Sequence, residues 1–500
     1  MIFLIGGEKM IVETAYGKVK GIQENDVYVW KGIPYAAPPI GPNRFRPPTS
    51  AESWDGVKDC SEFGPSAWQP SLEIMSFLGN QTTRMSEDCL TLNIWSPGTD
   101  GKKRPVLVWI HGGAFISGSG SSPLYEGTSF AKNGDLVVVT INYRLGILGF
   151  LHLAELGGDG YQNSGNCGIL DQIAALKWVK ENIAAFGGDP DQVTIFGESA
   201  GAMSVGVLLA SPKAKGLFNQ AILQSGAASH VIKSEKATKN TEFLLHELGL
   251  EKTEIQKLEE IPVEQLIEVS VKLPMMSLIP VIDGEILPKH PKELLAEGAA
   301  KDIPVLIGTN KDEYRLFTAF DPIWKKEDQA AIKKRFQQTF GTRWTKISQE
   351  FIKGKELTQS LYEKLMTIMT FTHPAIHVAE IQTEQGSPVW MYRFDWESQA
   401  FNGLLKSCHA LEIPFVWNTF SKHGVENFTG DSPGRQELSK KIHNAWIAFA
   451  QNGDPNINDL PNWPKYDLQN RTTLIFNSNC EVVHDPDREE RIKWEVCQER

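Results

Sequence analysis

The strongest constraint on the fold is a series of short, almost wholly apolar runs: VLVWI (106–110), LVVVTI (136–141), VTIF (193–196), AIL (221–223), VLIG (305–308) and VWMYRF (389–394). Successive side chains leave opposite faces of a sheet, so a strand apolar at every position has both faces buried. Helical stretches separate the runs. Alternation of this kind predicts an α/β fold, a mostly parallel sheet covered by helices on both sides. The clearest helix is DQIAALKWVKENIAAFGG (171–188). Asp171 is placed to cap it, Leu176, Val179, Ile183 and Phe186 recur at helical spacing, and Gly187 and Gly188 stop it. Two charged helical regions, about 232–270 and 324–385, interrupt the alternation and are expected to be cap insertions over one end of the sheet. Ahead of them, IVETAYGKVKGI predicts a hairpin turning at Tyr16-Gly17, and the prolines from Pro34 to Pro48 predict an extended surface wrap.

Length alone would allow about three domains. The chain has no linker, repeat or low-complexity tract, and its 41% hydrophobic and 22% charged residues are an ordinary globular balance. Residues 1–500 are therefore read as one domain, with residues 1–9 as a possible N-terminal extension before Met10. The four-residue apolar run in MIFLIGGEKM lacks the basic segment that opens a signal peptide. A formal net charge of −11 argues against a nucleic-acid partner, which needs concentrated Lys and Arg. No apolar run is long enough to span a bilayer, so no membrane partner is expected, and the self-repelling charge fits a monomer. The six cysteines (60, 89, 167, 408, 480 and 497) lack metal-ligand or disulfide-framework spacing and are expected to be reduced. The expected location is the cytoplasm, where the sequons at Asn80, Asn427 and Asn470 carry no glycan.

Two stretches fit Gly-x-Ser-x-Gly: GESAG (197–201) and GDSPG (430–434). The motif works as a sharp strand-to-helix turn that exposes the serine, so context decides between them. Ser199 follows VTIF and precedes AGAMSVGVLLA, a run of small and apolar residues suited to a helix. A helix starting there aims backbone N–H groups at developing negative charge. No strand leads to Ser432, and the next residue is Pro433, which has no N–H to give. Ser199 is the expected nucleophile and Ser432 a turn residue. The loop HGGAFISGSG (111–120) follows VLVWI, and Gly112 and Gly113 leave their N–H groups uncovered. With Ala200 they form a plausible three-donor oxyanion hole. The missing GxxxxGK[ST] pattern argues against a phosphate loop.

HGGAF, NCGILDQIAALKWVKENIAAFGGDP, GESAG, SEDCLTLNIW (86–95) and KGIPYAAPPIGPNRFRPP together resemble the carboxylesterase/cholinesterase family of α/β-hydrolases, most of all its bacterial p-nitrobenzyl-esterase-like members. The resemblance implies an α/β-hydrolase fold, a serine carboxylesterase and no cofactor or metal. It also implies an acid and then a histidine after Ser199 in chain order. The acid belongs just beyond a strand, where VLIGTNKDEYRLF offers Asp312 and Glu313. Either could orient an imidazole, and the family pattern implies Glu313, although Tyr314 stands where the family has glycine. His111 precedes the serine, and His152, His230, His246 and His290 come too early. His373 and His377 read as a helix start with ordinary side chains, and His423, His443 and His484 lie in a polar loop, a charged helix and the tail. The family's His-x-x-Glu-x-Pro-Phe setting matches His409 in SCHALEIPFVW. Glu198 and Ser225 match positions that support the triad.

Two departures narrow the function. Ala67 replaces the cysteine that pairs with the equivalent of Cys89 in secreted relatives. Gly79 replaces a choline-binding tryptophan, so a cation–π site for choline is not supported. The expected substrate is a small carboxylic ester with a short to medium acyl chain. The rival readings are a lipase-like esterase for longer chains and a non-catalytic adhesion-type member, against which the intact Ser199, Glu313 and His409 count.

Overall fold

The computed structural model of the protein describes residues 10–71, 84–324, 328–422 and 424–498. Residues 1–9, Gly79, Asn80 and His423 lie outside them. The strands are β1 (Ile11–Thr14), β2 (Gly17–Lys20), β3 (Ile22–Glu24), β4 (Val27–Pro34), β5 (Val57–Asp59), β6 (Thr91–Ser96), β7 (Arg104–Ile110) and β8 (Val137–Ile141). They continue with β9 (Gly188–Glu198), β10 (Gln220–Gln224), β11 (Ile232–Lys233), β12 (Val281–Ile282), β13 (Val305–Asn310), β14 (Val389–Phe394), β15 (Thr472–Phe476) and β16 (Glu481–His484). An eleven-stranded sheet has the order β16-β15-β14-β13-β10-β9-β7-β8-β6-β4-β3. From β15 to β8 the neighbours run parallel, while β16 at one edge and β6, β4 and β3 at the other are antiparallel.

All six apolar runs fall in the parallel block, as β7, β8, β9, β10, β13 and β14. Their alternation feeds two cores: Val106, Val108 and Ile110 of β7 pack on one face, and Leu107 and Trp109 on the other. Each such side chain contributes about 1.5–3 kcal/mol through burial. The hairpin also forms where the sequence places it, with Thr14 opposite Gly17.

The helix after β8 differs from the expectation. Helix α1 (Cys167–Asn182) begins at Cys167, so Asp171 lies inside it and does not cap it. Asp171 is fully buried and forms an ion pair with Arg144: Oδ1 accepts from Nη2 at 2.6 Å and Oδ2 from Nε at 2.8 Å, with the Arg144 backbone N–H adding a third bond at 3.0 Å. A carboxylate this buried needs such a partner, and that requirement overrode its local preference for a helix start. The proline-rich wrap is likewise pinned inward, with Tyr35 and Phe45 buried. Region 232–270 carries helices Ser234–Glu247 and Val263–Ser270, and region 324–385 carries Gln329–Phe340, Gln359–Thr367 and His373–Glu384. All six cysteines are free thiols, and burial raises the pKa of Cys89 most strongly among its causes.

Candidate active site

Ser199 stands between the end of β9 and the first residue of helix α2 (Ala200–Ala210). Its backbone has φ 56° and ψ −124°, a strained conformation for a residue with a side chain. The Ser199 N–H donates to the Gln224 carbonyl at 2.9 Å, which anchors the turn to β10. The flanking glycines are required by packing. A Cβ on Gly201 would lie 2.0 Å from the Ile110 carbonyl oxygen, and one on Gly197 would lie 2.5 Å from the Gly201 carbonyl carbon. Ala200 opens α2, so its N–H has no partner within the helix.

The HGG loop presses on this turn. A Cβ on Gly112 would lie 3.1 Å from Ser199 Cβ and 2.7 Å from the Glu198 carbonyl oxygen, and Gly113 has φ +111°. Ala114 and Phe115 also have positive φ. The Gly113 carbonyl accepts from Ile116 N at 3.1 Å and Ser117 N at 3.0 Å, so the strained loop is held by its own hydrogen bonds. His111 stacks on Tyr143 with ring centroids 4.5 Å apart. Burial lowers its pKa to about 4, which keeps the ring neutral at the base of the loop.

Of the two candidate acids, the structure brings Glu313 to the imidazole. Glu313 is fully buried, its Oε2 lies 2.7 Å from His409 Nδ1, and its Oε1 accepts from Asn310 N at 2.8 Å. The His409 backbone N–H donates to the Glu313 carbonyl at 3.2 Å. Asp312 is only partly buried, and its Oδ2 has no partner among the described residues. On the other side of the ring, Nε2 lies 3.1 Å from Glu198 Oε1. Phe371 and Phe317 pack against the ring at 4.7 and 5.4 Å between centroids. Burial disfavours a charged ring at His409, but Glu198 and Glu313 outweigh it and raise the pKa above the ordinary histidine value. Burial likewise raises the Glu198 carboxyl well above its usual range. Ser225 is fully buried at φ 51°, its N–H donates to the Gly308 carbonyl at 2.9 Å, and its Oγ has no partner among the described residues.

The remaining candidates lie elsewhere. Ser432 occupies a turn before helix α3 (Arg435–Asn452). His373 and His377 share a helix with rings 5.1 Å apart, and His377 Nδ1 lies 3.0 Å from Lys292 Nζ. Among the described residues, no group of three or more potential ligands could hold a metal, and no helix is long and apolar enough to cross a membrane. Sequence reasoning missed Gln224 and Asn310 and gave Glu412 no role of its own; all three are buried, and Glu412 accepts a hydrogen bond from each of the other two. Glu412 was visible in the histidine motif. Gln224 and Asn310 carried only the weak signal of a polar residue closing an apolar strand.

Comparison with known proteins follows the same line. The model of the carboxylesterase family matches residues 8–494. The para-nitrobenzyl esterase of Bacillus subtilis is 42% identical, with 97% of this chain and 98% of that protein covered. The phenmedipham hydrolase of Pseudarthrobacter oxydans is 35% identical, with 96% and 98% covered. A crystal structure of a Geobacillus stearothermophilus carboxylesterase superposes with a TM-score of 0.89 at 46% identity, covering 97% of this chain and 100% of that one.

Proposed function

The chain belongs to the carboxylesterase family and has the α/β-hydrolase fold, and on that premise we propose that this carboxylic ester hydrolase works through Ser199, His409 and Glu313. The observation that carries the reading is the buried Glu313–His409 bond of 2.7 Å, paired with a serine held at positive φ where a strand turns into a helix. His409 Nε2 takes the hydroxyl proton as Ser199 Oγ attacks the ester carbonyl, while Glu313 holds the Nδ1–H tautomer and stabilises the imidazolium. The carbonyl oxygen, now anionic, rests on the N–H groups of Gly112, Gly113 and Ala200. The carbon–oxygen bond to the alcohol breaks as Nε2 returns the proton to the leaving oxygen. Water, deprotonated by His409, then cleaves the acyl-enzyme and frees the acid. Glu198 faces Nε2 and in its ionised form favours the imidazolium, and Ser225 follows Gln224, whose carbonyl anchors the turn that carries Ser199.

The substrate is a small ester with a short to medium acyl chain, and the enzyme acts as a monomer in the cytoplasm. Initial rates on p-nitrophenyl esters of two to sixteen carbons test the acyl class. Peak kcat/KM on soluble short and medium chains is expected. A rate that jumps when a long-chain ester forms an emulsion would favour the lipase-like alternative. Modification of Ser199 by an organophosphate, read by peptide mass, tests the nucleophile, and labelling elsewhere would exclude it.

A further inference from the structure

Behind the Glu313–His409 pair, Glu412 is buried with both oxygens engaged. Oε1 accepts from Gln224 Nε2 at 3.1 Å, and Oε2 accepts from Asn310 Nδ2 at 2.7 Å. Gln224 is itself fixed, because Trp446 Nε1 donates to its Oε1 at 3.0 Å while its backbone carbonyl holds Ser199 N. Asn310 reaches the other two participants: its N–H binds Glu313, and its Nδ2 also donates to the Cys408 carbonyl at 2.7 Å, next to His409. The ends of β10 and β13 thus tie nucleophile, acid and base to one carboxyl.

We propose that Gln224 is a positioning residue for the esterase reaction, holding Glu412 ionised and fixed, with Asn310, so that the imidazolium formed during attack meets a buried negative charge beyond those of its direct neighbours. The proposal rests on the assignment of Ser199, Glu313 and His409 above. The titratable groups around Glu412 are Glu313 after β13, Glu198 from β9, Tyr392 from β14, and Cys408 and His409 from its own loop. Burial and Glu313 push the Glu412 carboxyl toward protonation, and the Asn310 and Gln224 hydrogen bonds oppose them, since donors to a carboxylate favour its charged form. Losing the Gln224 donor therefore favours a neutral Glu412, which removes a charge that supports a protonated His409.

The test compares Gln224→Met, which keeps the length and removes the N–H donors, with Glu412→Gln and the double variant, using p-nitrophenyl butyrate. In each single variant kcat is expected to fall about 10- to 100-fold with KM within about twofold. The acid limb of kcat/KM is expected to move about one unit lower. The double variant is expected to be no worse than Glu412→Gln, because both changes remove the same charge. An acid limb that stays in place in Gln224→Met, or losses that multiply in the double variant, would overturn the proposal. If circular dichroism shows Gln224→Met unfolded, Gln224→Asn, a shorter amide, is judged by the same two criteria. Ser199→Ala assayed alongside separates the layers, since turnover there would sink the triad assignment itself.

Discussion

Replacing Gly113 by alanine tests the oxyanion loop through a single methyl group. Gly113 has φ +111°, which L side chains rarely adopt, and a Cβ there would lie 2.2 Å from the Ser117 carbonyl oxygen. Real Cβ contacts essentially never fall below 3.0 Å, so the loop must open by about 0.8 Å at this point. The obstacle is backbone, and the Ser117 and Ile116 N–H groups bind the Gly113 carbonyl, so the opening shifts the peptide proposed above to aim an oxyanion donor. A displacement near 1 Å in a positioned group costs on the order of 100-fold in rate, and loss of one oxyanion donor costs about 10²–10³ in kcat. Gly113→Ala should therefore lower kcat on p-nitrophenyl acetate about 100-fold, with KM within about threefold, because the donors act mainly on the transition state. Stability should fall by about 1–3 kcal/mol from overpacking, so rates are normalised to folded enzyme by circular dichroism. A folded variant whose kcat stays within about threefold of the parent would refute the loop's role.

Three further outcomes follow from the same geometry. Glu198→Gln removes the ionisable carboxyl 3.1 Å from His409 Nε2, and with it the anion that favours the protonated ring. The imidazolium becomes less favoured, the His409 pKa falls, and the acid limb of kcat/KM should move about 1–2 units lower; a limb that stays or rises contradicts the pairing. Asp171→Ala strands the Arg144 charge in the core and should cost about 3–5 kcal/mol in urea denaturation, whereas Arg144→Met with Asp171→Leu should recover most of it. Equal losses in both would show that the pair is not what the core depends on. Thiol titration of the unfolded protein without reductant should count six free cysteines, and a smaller count would reveal a disulfide.

The sheet was legible because burial on both faces leaves a plain mark: VLVWI and its counterparts are apolar at every position, and each became a parallel strand. The strand-to-helix turn at Ser199 was legible for a similar reason, since GESAG needs glycines that the packing against Ile110 explains. Asp171 misled because a short acidic residue before an apolar run suits a helix start and a buried ion pair equally well. Only the position of Arg144, 27 residues away, decides between them. Asp312 and Glu313 could not be separated by local chemistry, because the choice depends on which side chain the turn after β13 directs at His409. The Gln224–Glu412–Asn310 bonds join three distant segments, and such contacts leave no periodic trace.

The central claim is that Ser199 is the nucleophile, and Ser199→Ala assayed on a panel of p-nitrophenyl esters tests it most directly. The residual rate above water should fall by about 10⁴-fold or more, with a circular dichroism spectrum matching that of the parent. Turnover near the parent rate in a folded Ser199→Ala protein would contradict the account.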